Sequence, residues 1–151
     1  MQESKYLHKS HNVSVLIYHF VCPAKYRRLV FTSQVDATLK AICLEIEKRY
    51  DVRFLEIGTD KDHVHFLLQS VPTKSPTQII KMLKSITARE IFRKHPDVKK
   101  QLWGGEFWTD GYYVSTVGKH ADESVISKYV REQGVGNEYD QLHKATQLRL
   151  F

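Results

Sequence analysis

His63 and His65, at alternate positions of an apolar segment, are the clearest candidates for chemistry in this chain. Side chains alternate across a β-strand, so both imidazoles should share one face, about 7 Å apart along the strand. Both rings can lean toward one ion, each with a nitrogen about 2.1 Å from it. The apolar residues between and after them should pack on helices from the other face: Val64, Phe66 and Leu68. An H-x-H pattern also arises by chance in a chain with eight histidines, but its alternation with an apolar face favours a metal site on the sheet face that the helices leave open.

A second pair, Tyr129 and Gln133, lies four residues apart on one face of a helix predicted over about Asp122–Gln133. A tyrosine on an apolar stripe is most often a core residue. A glutamine there is costly to bury without a partner, and its amide oxygen can ligate a hard cation. Two imidazoles and this oxygen would leave positions of an octahedral ion open to a phosphate. Tyr129 would then be the nucleophile that attacks the polarised phosphate.

Cations and aromatic side chains are clustered, in a chain with a formal net charge of +6. This excess suits the neutralisation of phosphates, and a solvated basic surface is the alternative. Interleaved cations and aromatic rings favour single-stranded nucleic acid, held by its backbone and by base stacking. The residues expected to bind the nucleic acid are Lys25, Tyr26, Arg27, Arg28, Lys81 and Lys84.

The composition is that of one globular domain, with 42% hydrophobic and 26% charged residues over 151 positions. No apolar run approaches the ~20 residues of a membrane span, and the N-terminus has no signal-peptide pattern. Cys22 and Cys43 form no C-x-x-C pattern, which argues against a cysteine zinc site and favours a reducing compartment. We therefore expect a single cytoplasmic domain over residues 1–151 that binds no membrane, with a weakly structured tail after 136.

Hydrophobic periodicity predicts the elements that must position these residues. Helices are predicted after the cap at Thr32 or Ser33, and from Ser75-Pro76 to Pro96. Strands are predicted over 12–21, Val52–Ile57, Val64–Ser70 and about Tyr112–Val117. The order β-α-β-β-α-β predicts an α+β, ferredoxin-like sandwich, with one sheet and two helices on one face. An extra C-terminal helix carries Tyr129.

Four stretches, taken in order, resemble a known family. They are His19–Val21 through Lys25–Arg28, then Asp62–Phe66, then Trp108 through Gly111–Gly118, and finally Tyr129–Gln133. On these stretches, which together cover about residues 11–135, the chain resembles the TnpA-type, single-tyrosine HUH transposases of small bacterial insertion sequences (the "IS two-hundred" group).

The resemblance implies a homodimer, whose tyrosine helix can dock in trans, that acts on single-stranded DNA with hairpins near the ends of an element. It implies that Tyr129 attacks the strand, giving a 5′-phosphotyrosine link and a free 3′-hydroxyl that later rejoins strands. It also implies Mg²⁺ or Mn²⁺ as cofactor, with His63, His65 and Gln133 as its ligands. Asp62 would orient an imidazole, or would be a polar turn residue.

Three alternatives remain open on the sequence. A domesticated relative that nicks repeated palindromes would carry the same motifs. A non-catalytic, ferredoxin-like nucleic-acid-binding module would use Trp108, Tyr112 and Tyr113 to stack on bases. A metal-dependent hydrolase would use the same ligands, with Tyr129 as a structural residue.

Overall fold

The computed structural model describes residues 8–9, 12–13, 16–102 and 104–117, with side chains over the last two ranges. The predicted third helix, about Asp122–Gln133, lies outside the described residues, and so do Tyr129, Gln133 and the tail after 136.

The described residues form two antiparallel sheets and two long helices. The strands are β1 (His8–Lys9), β2 (Asn12–Val13), β3 (Leu16–Pro23), β4 (Arg53–Thr59), β5 (His63–Ser70) and β6 (Tyr113–Val117). The helices are α1 (Ser33–Arg49), α2 (Pro76–Lys94) and the short α3 (Pro96–Gln101). β1 pairs with β2, while the other strands form one sheet in the order β4-β5-β3-β6. With α1 after β3 and α2 after β5, this confirms the predicted ferredoxin-like sandwich.

The first predicted strand and the end of the second predicted helix differ in detail from the observed elements. The strand predicted over 12–21 is divided, since β2 belongs to the small sheet and β3 runs from Leu16 through Pro23. Pro23 lacks an N–H, but its carbonyl still accepts a hydrogen bond from the N–H of Thr109 at 3.1 Å. Pro96 follows the end of α2, as predicted, and also begins α3, where a proline in the first helical turn loses no hydrogen bond.

The core lies between the larger sheet and the helices α1 and α2. The β5 residues predicted to face the helices are buried in it, together with one apolar stripe from each helix. The β5 residues buried in this core are Val64, Phe66 and Leu68. The stripe of α1 is Val35, Leu39, Ile42, Cys43 and Ile46, and that of α2 is Ile79, Ile80, Leu83 and Ile91. Because this face of the sheet is covered, the histidines of β5 lie on the opposite face.

Side-chain caps fix where the long helices begin. The hydroxyl oxygen of Thr32 accepts a hydrogen bond from the N–H of Val35 at 3.2 Å, at the start of α1. At the start of α2, Ser75 and Gln78 form a reciprocal capping box, with hydrogen bonds of 3.1 and 2.8 Å. Both helices therefore begin where the sequence predicts.

Trp108 fastens the loop before β6 to the core. Its side chain is only 6% exposed, and its ring contacts those of Phe31, Phe66 and Phe107. The indole N–H donates to the buried Thr87 hydroxyl at 3.0 Å, and that hydroxyl donates to the Leu83 carbonyl at 2.7 Å. Trp108 is thus a structural residue and is not available to stack on a base.

Among the described residues, no helix is both long and apolar enough to cross a membrane.

We expect Thr87→Val to lower the free energy of unfolding by about 1–3 kcal/mol, because the buried indole N–H of Trp108 would lose its acceptor. Valine keeps the shape of threonine, so packing changes little. Thr87→Ser is the matched control, since it keeps the hydroxyl and removes one methyl group. Denaturant titration measures both, and a valine variant as stable as the wild type would contradict this role for Thr87.

Candidate functional site

His63 and His65 lie side by side on the open face of the sheet, the face opposite α1 and α2. In the strand register His65 lies opposite Val21, and His63 lies opposite Pro23 at the end of β3. Their ring centroids are 5.0 Å apart. The alternation of β5 therefore brings both imidazoles together at one end of the sheet, as the metal hypothesis requires.

Asp62 connects His63 to the basic loop that follows β3. Its Oδ1 accepts a hydrogen bond from His63 Nδ1 at 2.8 Å, and its Oδ2 accepts one from Arg27 Nε at 3.0 Å. The hydrogen bond from His63 and the charge of Arg27 lower the pKa of the Asp62 carboxyl, so it is ionised at neutral pH. This contact fixes a proton on Nδ1 of His63, so Nε2 is the ring nitrogen that an ion could use.

His65 has a different partner, His19 of β3. Nδ1 of His65 and Nε2 of His19 are 2.9 Å apart, and the two rings are nearly parallel, at 13°. His19 is fully buried and His65 is 3% exposed. Burial lowers the pKa of each to about 4, with the neighbouring histidines adding to the shift of His65. Both rings are therefore neutral at pH 7.

Nε2 of His65 is a buried nitrogen that has no hydrogen-bond partner within the described part of the chain. Nε2 of His63 lies 3.9 Å from an Asp60 carboxylate oxygen, too far for a hydrogen bond. Two adjacent imidazoles that can each present Nε2 to an ion suit a divalent transition metal. Within the described ranges no three His, Cys, Asp or Glu residues group to hold an ion. The two histidines fit part of a metal site, and further ligands must come from elsewhere.

The Lys25–Arg28 loop is held in a strained backbone conformation next to this face. Tyr26 and Arg27 have φ angles of 59° and 51°, in the left-handed region that costs non-glycine residues about 1–2 kcal/mol each. Lys25 forms an ion pair with Glu106 at 2.6 Å, which offsets its charge. Tyr26, Arg27 and Arg28 are exposed. Strain that the surroundings maintain in exposed, chemically capable residues is typical of functional sites.

Lys81 and Lys84, also predicted to bind DNA, lie on α2 and hence on the helical side of the sheet. The ammonium of Lys84 donates to the carbonyls of Thr109 and Gly111, and it lies 5.6 Å from the centre of the Tyr112 ring. Lys84 therefore orders the loop before β6, whereas Lys81 is exposed. Neither residue lies beside the histidines.

Two features of the site were not predicted from the sequence. His19 lies in one of the stretches that carry the family resemblance, but its position in the sequence predicts no role for it. Its alternation with the buried Phe20 could have placed it on the open face, but the 46 residues between it and His65 hide their contact. The ion pair between Arg27 and Asp62 also depends on the pairing of distant strands.

Comparison with known proteins identifies relatives of this chain. Residues 12–133 match the family model described as "Transposase IS200 like". The ISDra2 transposase TnpA of Deinococcus radiodurans is 33% identical over 118 residues, which cover 78% of this chain and 84% of that protein. The transposase for insertion sequence element IS200 of Salmonella typhimurium is 33% identical over 116 residues, which cover 77% and 75%.

Solved structures give the same fold. A Deinococcus radiodurans R1 protein described as a transposase superposes with a TM-score of 0.67 and 31% identity, covering 84% of this chain and 97% of that one. A REP-associated tyrosine transposase bound to a REP hairpin superposes with a TM-score of 0.52, covering 96% and 75%. At 8% identity, this second likeness concerns the fold alone.

We expect the free energy of unfolding, measured in a metal chelator, to fall as pH is lowered from 6.5 towards 4. Histidines of the unfolded chain have a pKa near 6.5, whereas burial lowers the pKa of His19 and His65 to about 4. The unfolded state therefore binds protons first and is favoured in this window, while above it the stabilisation is complete. Denaturant titrations at several pH values test this. His19→Gln should flatten the dependence, and a wild-type stability that is constant across the window would contradict it.

Proposed function

Because this chain belongs to the IS200-like transposase family, we propose that it cuts and rejoins single-stranded DNA at the ends of an insertion sequence, with Tyr129 as nucleophile. One observation carries the proposal: the buried Nε2 of His65 has no hydrogen-bond partner among the described residues and lies beside His63. Leaving a buried polar atom without a partner costs about 1–3 kcal/mol, so a ligand for it is expected.

In this proposal His63 and His65 hold a Mg²⁺ or Mn²⁺ ion through Nε2, and the amide oxygen of Gln133 is the third protein ligand. When bound, such an ion would supply Lewis acidity, which draws charge from the phosphate oxygens of the strand. Nitrogen ligands favour Mn²⁺ at least as much as Mg²⁺, which prefers oxygen. The ionised Asp62 orients His63, and Arg27 holds Asp62 in place.

The chemical step exchanges one phosphodiester oxygen for another. The Tyr129 oxygen forms a bond to phosphorus while the bond between phosphorus and the 3′-oxygen breaks. Tyr129 loses its hydroxyl proton, and the leaving 3′-oxygen gains one. The products are a 5′-phosphotyrosine link and a free 3′-hydroxyl. Reversal with a different 3′-hydroxyl joins new ends and needs no ATP.

The proposed DNA interface runs along the edge of the open face. Arg27 and Arg28 are exposed cations for phosphates, and Tyr26 offers an exposed ring. Tyr113 of β6 is 55% exposed and contacts the His19 ring edge-on, with centroids 6.1 Å apart. An exposed ring this close to the histidines suits a stacked base of an unpaired strand. Trp108, needed by the purely binding alternative, is buried and is not part of this surface.

We expect Tyr129→Phe to bind hairpin DNA as the wild type does, but to neither cleave it nor form a covalent adduct. Phenylalanine keeps the ring and removes only the attacking oxygen. Labelled single strands incubated with Mn²⁺ and run on denaturing gels report both events, and a chelator arm tests the metal requirement. A covalent band with the variant would contradict Tyr129 as nucleophile. Wild-type cleavage that gives free 5′-phosphate ends without an adduct would identify a hydrolase instead.

We expect Arg28→Ala to weaken binding to a DNA hairpin with an unpaired flank and to reduce its salt dependence. Losing one phosphate contact on a single strand should lower the slope of log K against log salt by about 0.7. Arg93→Ala is the matched control, because it removes the same charge from an exposed site on α2. Fluorescence anisotropy over a range of NaCl concentrations gives both slopes. Equal slopes for Arg28→Ala and the wild type would exclude this residue from the interface.

A further inference from the structure

We infer that His19 is a positioning residue for the metal site: its Nε2 accepts a hydrogen bond from the Nδ1–H of His65, so that Nε2 of His65 carries the lone pair that would face the ion. The inference rests on the proposed function, because it takes His65 to be a metal ligand. It concerns the atom of His65 that is left for the ion, which the H-x-H pattern alone does not determine.

The contact is a well-formed hydrogen bond between two neighbouring strands. His19 Nε2 and His65 Nδ1 are 2.9 Å apart, within the usual range, and the two rings lie 13° from parallel. His19 lies opposite Leu67, two residue pairs along the ladder from Val21 and His65. The register of two central strands therefore holds the acceptor in place.

The direction of this hydrogen bond follows from the number of N–H groups that the two neutral rings carry. A neutral imidazole carries one N–H, so one ring of the pair donates and the other accepts. If His19 donated, His65 would carry its proton on Nε2, a buried donor with no acceptor in the described part of the chain. If His65 donates from Nδ1, its Nε2 instead carries a lone pair. The second arrangement avoids a stranded buried N–H and produces a metal ligand.

The two histidines of the site are thus supported in different ways. Asp62, which orients His63, is partly exposed and is paired with Arg27, so its negative charge is balanced. A carboxylate at the position of His19, which is fully buried, would need a balancing charge of its own. A neutral imidazole orients His65 without adding charge to the interior. This explains why a histidine suits this position of β3 on physical grounds.

Two amides that differ in reach provide the test. The amide of glutamine can occupy the position of a histidine Nε2, whereas the shorter amide of asparagine reaches only the position of Nδ1. We expect His19→Asn to weaken Mn²⁺ binding to the full chain about 10- to 100-fold, the usual effect of losing such a partner. His19→Gln should retain most of the affinity. The electron paramagnetic resonance signal of free Mn²⁺ measures binding without DNA and without catalysis.

Ile17→Val and His65→Ala complete the set. Ile17 is buried on the same strand and the same face as His19, two residues away, so its shortening controls for packing and should leave Mn²⁺ affinity unchanged.

His65→Ala should remove most of the binding. If His65→Ala binds Mn²⁺ as the wild type does, the metal part of the proposed function fails, and this inference fails with it. If His65→Ala loses binding but His19→Asn does not, only the role of His19 is overturned. Equal losses in His19→Asn and His19→Gln would also overturn it.

A second measurement needs no variant at position 19 to fold. Nitrogen-15 spectra of the metal-free wild type distinguish the two tautomers of each histidine ring, and the His65→Ala spectrum assigns the resonances of His65. We expect His65 to carry its proton on Nδ1 and His19 to carry its proton on Nδ1 as well. A proton found on Nε2 of His65 would overturn the inference even if every variant at position 19 unfolds.

Discussion

Successive side chains of β5 leave the sheet in opposite directions, and the rest of the molecule is arranged around that alternation. Phe66 is buried against the helices, while His63 and His65 on either side of Val64 face away from them. A slip of one residue would move the imidazoles into the apolar core and expose the apolar set, so burial enforces the register. The same hydrophobic contact that stabilises the sandwich therefore keeps the proposed metal ligands on the open face.

The helices and strands could be predicted from local sequence patterns, whereas the partners of the histidines could not. The period of two along β5, the stripes of α1 and α2 and the Ser75-Pro76 start signal each lie within one segment, and each predicted its element. The partners of the histidines depend instead on which strands become neighbours. His19 meets His65 only because β3 pairs with β5. A pattern within one segment cannot predict a contact between two segments so far apart in the sequence. The beginning of α3 at Pro96 was not predicted, because a proline can both follow one helix and begin another.

The Lys25–Arg28 loop and the histidines form one connected unit. Backbone hydrogen bonds from Ala24 to Asp62 and from Lys25 to Phe107, both 2.8 Å, fix the loop between two other segments. These contacts maintain the left-handed backbone at Tyr26 and Arg27, which would otherwise relax. Arg27 then reaches Asp62, whose other oxygen holds His63. A phosphate bound by this loop would lie next to the carboxylate that orients a proposed metal ligand, so substrate contact and ligand geometry are physically linked.

The buried histidine pair on the open face makes the protein less stable than apolar residues at the same positions would. Two neutral imidazoles buried against each other give less stability than apolar side chains of similar size, because desolvating their nitrogens offsets much of their hydrogen bond. Leu67, which lies on the same face opposite His19 and two residues from His65, is fully buried and shows that apolar residues fit there. Packing alone would thus favour apolar residues at positions 19 and 65 as well. That a polar pair occupies them, with one nitrogen left without a partner among the described residues, is the departure from local consistency expected where a fold is adapted to bind a ligand.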